Sequence, residues 1–182
     1  LDHQMAQYDE EIAYVDATFR EFVEGWRGSG RQALVVVTAD HGEEFGERGS
    51  WGHAHTVWPE QLHVPLIING AGVPSQRVTD RVGTEDIAPT IAGLVGLPFP
   101  ARDGVSRSAQ IRTGTPPPAD HVAALFADTS RFDSLVYRWH EGPYDLVVDM
   151  GVGLRSMCNV EEDRTCQSNI YREHNTEAEA MF

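Results

Sequence analysis

The sequence predicts an α/β fold that ends in a small antiparallel sheet, and three observations carry that prediction. A short β-branched run at 34–37 stands between an amphipathic stretch at 8–27 and a second apolar run at 64–68. A capped helical pattern follows at 84–96. Beyond Pro116-Pro117-Pro118, which can continue neither a helix nor a central strand, the apolar segments become short and are separated by polar or Gly-Pro turns. The expected division is therefore an α/β part over 1–114 and a small sheet with a terminal helix over 119–182.

In the first stretch, Tyr8, Ile12, Val15, Phe19, Phe22 and Trp26 recur at spacings of three and four, the mark of a helix packed on one side. Acidic residues crowd its first turn, Gly28-Ser29-Gly30 ends it, and Asp16 reads as a solvated side chain. Leu34-Val35-Val36-Val37 has the composition of a strand buried on both faces in a parallel sheet. Val64-Pro65-Leu66-Ile67-Ile68 reads as a second buried strand and residues 69–74 as the loop leaving it. The 84–96 helix starts at Thr84 with acids in its first turn, tolerates Pro89 near its start and stops at Gly96; Asp86 reads as a cap. Residues 122–126, 134–139 and 144–148 have strand composition, with Glu141-Gly142-Pro143 as a turn, and 168–181 is compatible with a helix.

Composition narrows the function. At 182 residues, 41% hydrophobic and 23% charged, the chain is an ordinary globular sequence with enough length for a sizeable core. A net charge of −14 argues against nucleic acid or an anionic membrane surface as the main partner, because both demand basic patches. Against that charge an anionic ligand would need local help; all 14 basic residues are arginines. No apolar stretch approaches membrane-spanning length, and any targeting or anchoring segment is expected outside this chain. Cys158 and Cys166 could close a local disulfide in an exported protein, although two cysteines alone do not establish an oxidising compartment.

The chemistry concentrates where the first strand stops, at Thr38-Ala39-Asp40-His41-Gly42. Ligands of open α/β sheets bind beyond the carboxyl ends of the strands, so Asp40 and His41 are delivered to a favourable place. Carboxylate and imidazole are both good ligands for a divalent cation, and His53 and His55 follow in a loop that Gly52 opens. Glu43 and Glu44 read as surface acids or as acids lying behind the ligands.

The run Val37-Thr38-Ala39-Asp40-His41-Gly42-Glu43, then Gly46-Glu47, Gly52-His53-Ala54-His55-Thr56 and Val64-Pro65-Leu66-Ile67-Ile68 resembles the carboxyl-terminal metal-site block of the sulfatase family, in the alkaline phosphatase superfamily. Tyr8-Asp9 through Asp16 looks like the helix before that block, and Asp86-Ile87-Ala88-Pro89-Thr90, Asp103-Gly104-Val105-Ser106 and Tyr144-Asp145-Leu146-Val147 continue the likeness. It fades at Met157-Cys158-Asn159. The resemblance implies the carboxyl-terminal part of an alkaline-phosphatase-like sandwich with a small antiparallel subdomain. It implies Asp40 and His41 as ligands of a divalent metal, Ca²⁺ or Mn²⁺/Zn²⁺, and a small anionic ester as substrate. It also implies His53 as catalytic and substrate-binding and His55 as a substrate-side helper. The family's Cys/Ser-x-Pro-x-Arg motif, source of a formylglycine nucleophile, is absent from this chain, as are the family's first metal-binding aspartates. Both are expected outside it, in the amino-terminal part of the same domain. A periplasmic, extracellular or membrane-anchored location is likewise what the family suggests.

Overall fold

The structure, a computed structural model, describes residues 2–70, 72–100, 103–117 and 135–181. They fall into two compact units, one of residues 1–53 and 64–71, the other of residues 54–63 and 72–182.

The first unit opens with helix α1 (Asp2–Gly28), six residues longer at its start than the apolar stripe predicts. The stripe has helical spacing, but its burial differs from expectation: Ile12, Val15 and Phe22 are more than half exposed, and Tyr8, Phe19 and Trp26 remain exposed. Tyr8 does find an edge-to-face partner in Phe45, with ring centroids 5.1 Å apart. Strand β1 (Val35–Thr38) follows, then a hairpin of two-residue strands β2 (Glu44–Phe45) and β3 (Trp51–Gly52), then β4 (Leu66–Asn69). β1 pairs antiparallel with β4, from Val35 opposite Asn69 to Thr38 opposite Leu66. This corrects the parallel, doubly buried strand expected from composition. Residues 35–37 are half-buried, because among the described residues β1 has only β4 beside it.

The second unit is built around the antiparallel sheet β5 (Val136–Glu141), β6 (Tyr144–Asp149) and β7 (Leu154–Asn159), in that spatial order. The first two correspond to the predicted strands and turn at Gly142-Pro143; β7 was not anticipated. The predicted strand at 122–126 lies outside the described residues. Strand alternation gives the sheet two apolar faces. Leu146, Val148 and Met157 pack with Ala178 of α5 (Asn175–Met181), while Val136 and Val147 pack with Val57 and, on short helix α2 (Pro59–Leu62), with Leu62. Helix α5 occupies only the second half of the span expected at 168–181.

Also in the second unit, ahead of the sheet in sequence, a 3-10 turn (Thr84–Asp86) runs into α3 (Ile87–Val95), which Gly96 ends, and α4 (Ser108–Thr113) follows. Asp86 stands at the N-cap position of α3, as its place suggests, but its side chain makes no capping bond. Its carboxylate is fully buried, accepts the Val105 backbone N–H at 2.9 Å and pairs with Arg107 at 2.8 Å. Gly104 makes this possible: a Cβ there would lie 2.0 Å from the Glu85 carbonyl oxygen, so only glycine lets the two backbones approach. On the sheet, buried Asp145 gathers Arg81, Arg138 and His140. Opposite it in register stands Cys158, joined in a disulfide to Cys166.

Candidate metal centre and active site

The site is built on the segment after β1 and on the β2–β3 hairpin, all within the first unit. β1 ends at Thr38, and the chain turns through Asp40, His41 and Gly42, leaving Asp40 and His41 exposed. The His41 backbone N–H donates to Asp40 Oδ1 at 2.9 Å. That bond, then one from Asp40's own N–H, then the charge of the neighbouring imidazole hold the Asp40 carboxyl below the ordinary carboxylate range. Asp40 therefore presents a negative charge to solvent.

His41 is oriented by its own loop. Its Nδ1 lies 2.8 Å from the Gly42 carbonyl oxygen, and because a carbonyl only accepts, Nδ1 carries the proton. The lone pair is then on Nε2, which faces Asp40 Oδ2 at 3.7 Å. Donors bonded to one cation at about 2.0–2.4 Å stand about 3–3.5 Å apart, so this oxygen and nitrogen need little movement to share an ion. The donor set fits a divalent metal. An imidazole beside a carboxylate tilts the fit toward Mn²⁺ or Zn²⁺ without excluding Ca²⁺.

The hairpin brings His53 to the same place. Glu44 stands opposite Gly52 and Phe45 opposite Trp51, so the chain doubles back within ten residues of Glu43. Gly52 has φ of +87°, a conformation that suits glycine, and it redirects the chain out of β3. The His53 ring stacks on His41 with centroids 4.2 Å apart and planes 27° apart. Its Nδ1 lies 3.0 Å from Glu43 Oε2. His41, Glu43 and His53 accordingly each offer one ligand atom, all within 4.8 Å of one another.

Of the residues singled out in the sequence, the structure thus brings together Asp40, His41 and His53. His55 belongs to the second unit and is half-buried. There Gln61, itself buried, receives the Ala54 N–H at 2.9 Å and donates to Thr56 Oγ1 at 2.9 Å, fixing the backbone on either side of His55. Sequence reasoning undervalued Glu43 and Glu44. Glu43 is half-buried against His53, and Glu44, the first residue of β2, is 1% exposed. The signal that could have found Glu43 is the glycine series Gly46, Gly49 and Gly52, all with positive φ, which marks a tight return of the chain onto residue 43.

The sulfatase family model matches residues 2–97, more than half of the chain and all of this site. The chain belongs to the sulfatase family. Its sulfatase relatives include choline-sulfatase of Rhizobium meliloti, 30% identical over 105 residues that cover 54% of this chain and 20% of that protein. Arylsulfatase K of Bos taurus is 32% identical over 91 residues, 48% of this chain and 17% of the relative. The low-salt glycan biosynthesis sulfotransferase Agl7 of Haloferax volcanii is 36% identical over 88 residues, 46% of this chain and 22% of the relative.

Among solved structures, a 2-O GAG sulfatase superposes with a TM-score of 0.61 at 21% identity, covering 81% of this chain and 34% of that one. The phosphonate monoester hydrolase of Agrobacterium radiobacter superposes at 0.62 and 18% identity, covering 81% and 33%. At such identities the likeness shows the fold: the α/β architecture is one this chain shares with solved sulfatases. The chain spans about a fifth of the length of these curated relatives and about a third of the solved chains.

Proposed function

We propose that this chain is the carboxyl-terminal portion of a metal-dependent sulfatase, a hydrolase of small anionic sulfate esters. The observation that supports it most is the meeting of Asp40, His41 and His53 at one point of a segment that matches the sulfatase family. Asp40 and His41 would hold a divalent cation, Mn²⁺ or Zn²⁺ in preference to Ca²⁺. Bound there, such an ion supplies Lewis-acid polarisation of a sulfuryl oxygen and a lowered pKa for the attacking hydroxyl.

His53 contacts the anionic oxygens of the ester or gives a proton to the departing alkoxide, a task that an imidazole can perform near neutral pH. His55 assists on the substrate side. The nucleophile is a formylglycine supplied, together with further metal-binding carboxylates, by an amino-terminal part of the same domain. Neither cysteine of this chain can take that role, because Cys158 and Cys166 are bonded to each other and neither is followed by Pro-x-Arg. Their bridge supports an exported location, where thiols are oxidised.

A second reading keeps the same cation and changes the group transferred to a phosphate or phosphonate ester, with phosphoethanolamine transfer among its variants. The fold likeness to the phosphonate monoester hydrolase favours it over unrelated chemistries. A third reading is a truncated module without catalysis. Reading the coding sequence upstream of Leu1 separates them. Cys/Ser-x-Pro-x-Arg supports the sulfatase, a bare Thr or Ser nucleophile supports phosphoryl chemistry, and the absence of both supports the third reading.

A further inference from the structure

We infer that Glu43 is a positioning residue for His53, setting both the direction of its ring and the nitrogen on which its proton sits. The inference rests on the proposed role of His53 in the preceding reading. Its physical basis is the hydrogen bond between His53 Nδ1 and Glu43 Oε2 at 3.0 Å. A carboxylate accepts, so Nδ1 donates, and the neutral ring carries its lone pair on Nε2. Carboxylates hold catalytic and metal-binding imidazoles in just this manner, and the partner selects one of two otherwise similar tautomers.

The surroundings of Glu43 fit the task. Its side chain is 24% exposed against 88% for Asp40, so it is braced where Asp40 is open to solvent. Glu44, the next residue and the first of β2, is anchored in the interior at 1% exposure, which fixes the backbone from which Glu43 projects. A Cβ at Gly52 would lie 3.6 Å from Glu43 Oε1, an ordinary contact, so the carboxylate packs directly beneath the turn that delivers His53. His41 closes the other side by stacking on the His53 ring. The imidazole, 44% exposed, is thus held through one edge and one face rather than by burial.

The experiment uses the 182-residue chain labelled with ¹⁵N at histidine. Long-range ¹H–¹⁵N correlation spectra, recorded with the ring neutral and no metal added, read the His53 tautomer directly. The wild type shows mainly Nδ1–H. Glu43→Gln retains it, since the amide oxygen still accepts, whereas Glu43→Ala shifts the majority to Nε2–H while the β1–β4 cross-strand contacts persist. In the complete enzyme, Glu43→Ala lowers kcat about tenfold or more with KM little changed, and Glu43→Gln recovers most of the loss. An Nε2–H tautomer in the wild type overturns the inference even if the alanine variant does not fold, and so does a tautomer unmoved by Glu43→Ala. The spectra need neither substrate nor nucleophile. An enzyme inactive on sulfate esters would therefore count against the proposed function and leave the tautomer result standing.

Discussion

The rings of His41 and His53 lie face to face, 4.2 Å between centroids, although twelve residues separate them in sequence. One ring is placed by the end of β1 and the other by the exit of β3, so the stack joins a cation ligand to the residue proposed to meet the ester. If His53 stabilises charge in the transition state, His53→Ala in the complete enzyme lowers kcat by about 10²-fold or more with bound metal retained. His55→Ala costs less. Turnover and metal content, measured on both variants, check the assignment. Complete loss of metal in His53→Ala would instead make His53 a third ligand beside Asp40 and His41.

Asp40 and His41 offer one hard oxygen and one borderline nitrogen. Metal analysis of the complete protein is expected to find Mn²⁺ or Zn²⁺, with loss of the ion in Asp40→Ala. Stoichiometric calcium without a transition metal would show that the imidazole does not decide the choice.

Asp145 gives a pH dependence independent of the site. Burial alone would raise its pKa, but the His140 hydrogen bond and the Arg138 and Arg81 charges outweigh that and bring it down from 3.8 to about 2. Because the folded state binds this proton less readily than the unfolded chain, the stabilisation is complete above about pH 4. It is lost as the pH falls toward 2, an effect on the order of 2 kcal/mol. Denaturant unfolding of the 182-residue chain between pH 5 and pH 2 is expected to lose about that much more stability in the wild type than in Asp145→Asn. Equal losses in the two proteins would contradict the ion-pair account.

What the sequence made legible was local. The 84–96 helix carries its start, its stop and its period within one window, and the structure places the 3-10 turn and α3 there. The β5–β6 hairpin was readable from a two-residue turn between β-rich runs. What escaped depends on partners far along the chain. Asp86 keeps its place at the cap, but Arg107, 21 residues on, claims its carboxylate. β7, with Arg155 and Asn159 among its six residues, lacks a clean alternation and is defined by its register on β6. The α1 stripe fixed the helical period, but the burial of that face depends on what packs against it. In the site, Asp40, His41 and His53 announced themselves by residue type. Glu43 did not, because the two-residue strands that bring it to His53 have no periodicity to read.

Residues 1–182 alone are expected to hydrolyse neither aryl sulfate nor phosphate esters above buffer background, since they hold no formylglycine motif. A chromogenic ester assay on the purified chain checks this. Turnover that disappears in Asp40→Ala would mean that the chain contains its own nucleophile.

The central claim is that Asp40 and His41 serve sulfate-ester hydrolysis. Its most direct measurement compares sulfate release with phosphate release by the complete, metal-loaded protein and its Asp40→Ala variant. The account predicts that sulfate release dominates, and that Asp40→Ala lowers it by about 10²-fold or more together with bound metal. Dominant phosphate release, or full sulfate release by Asp40→Ala, would contradict it.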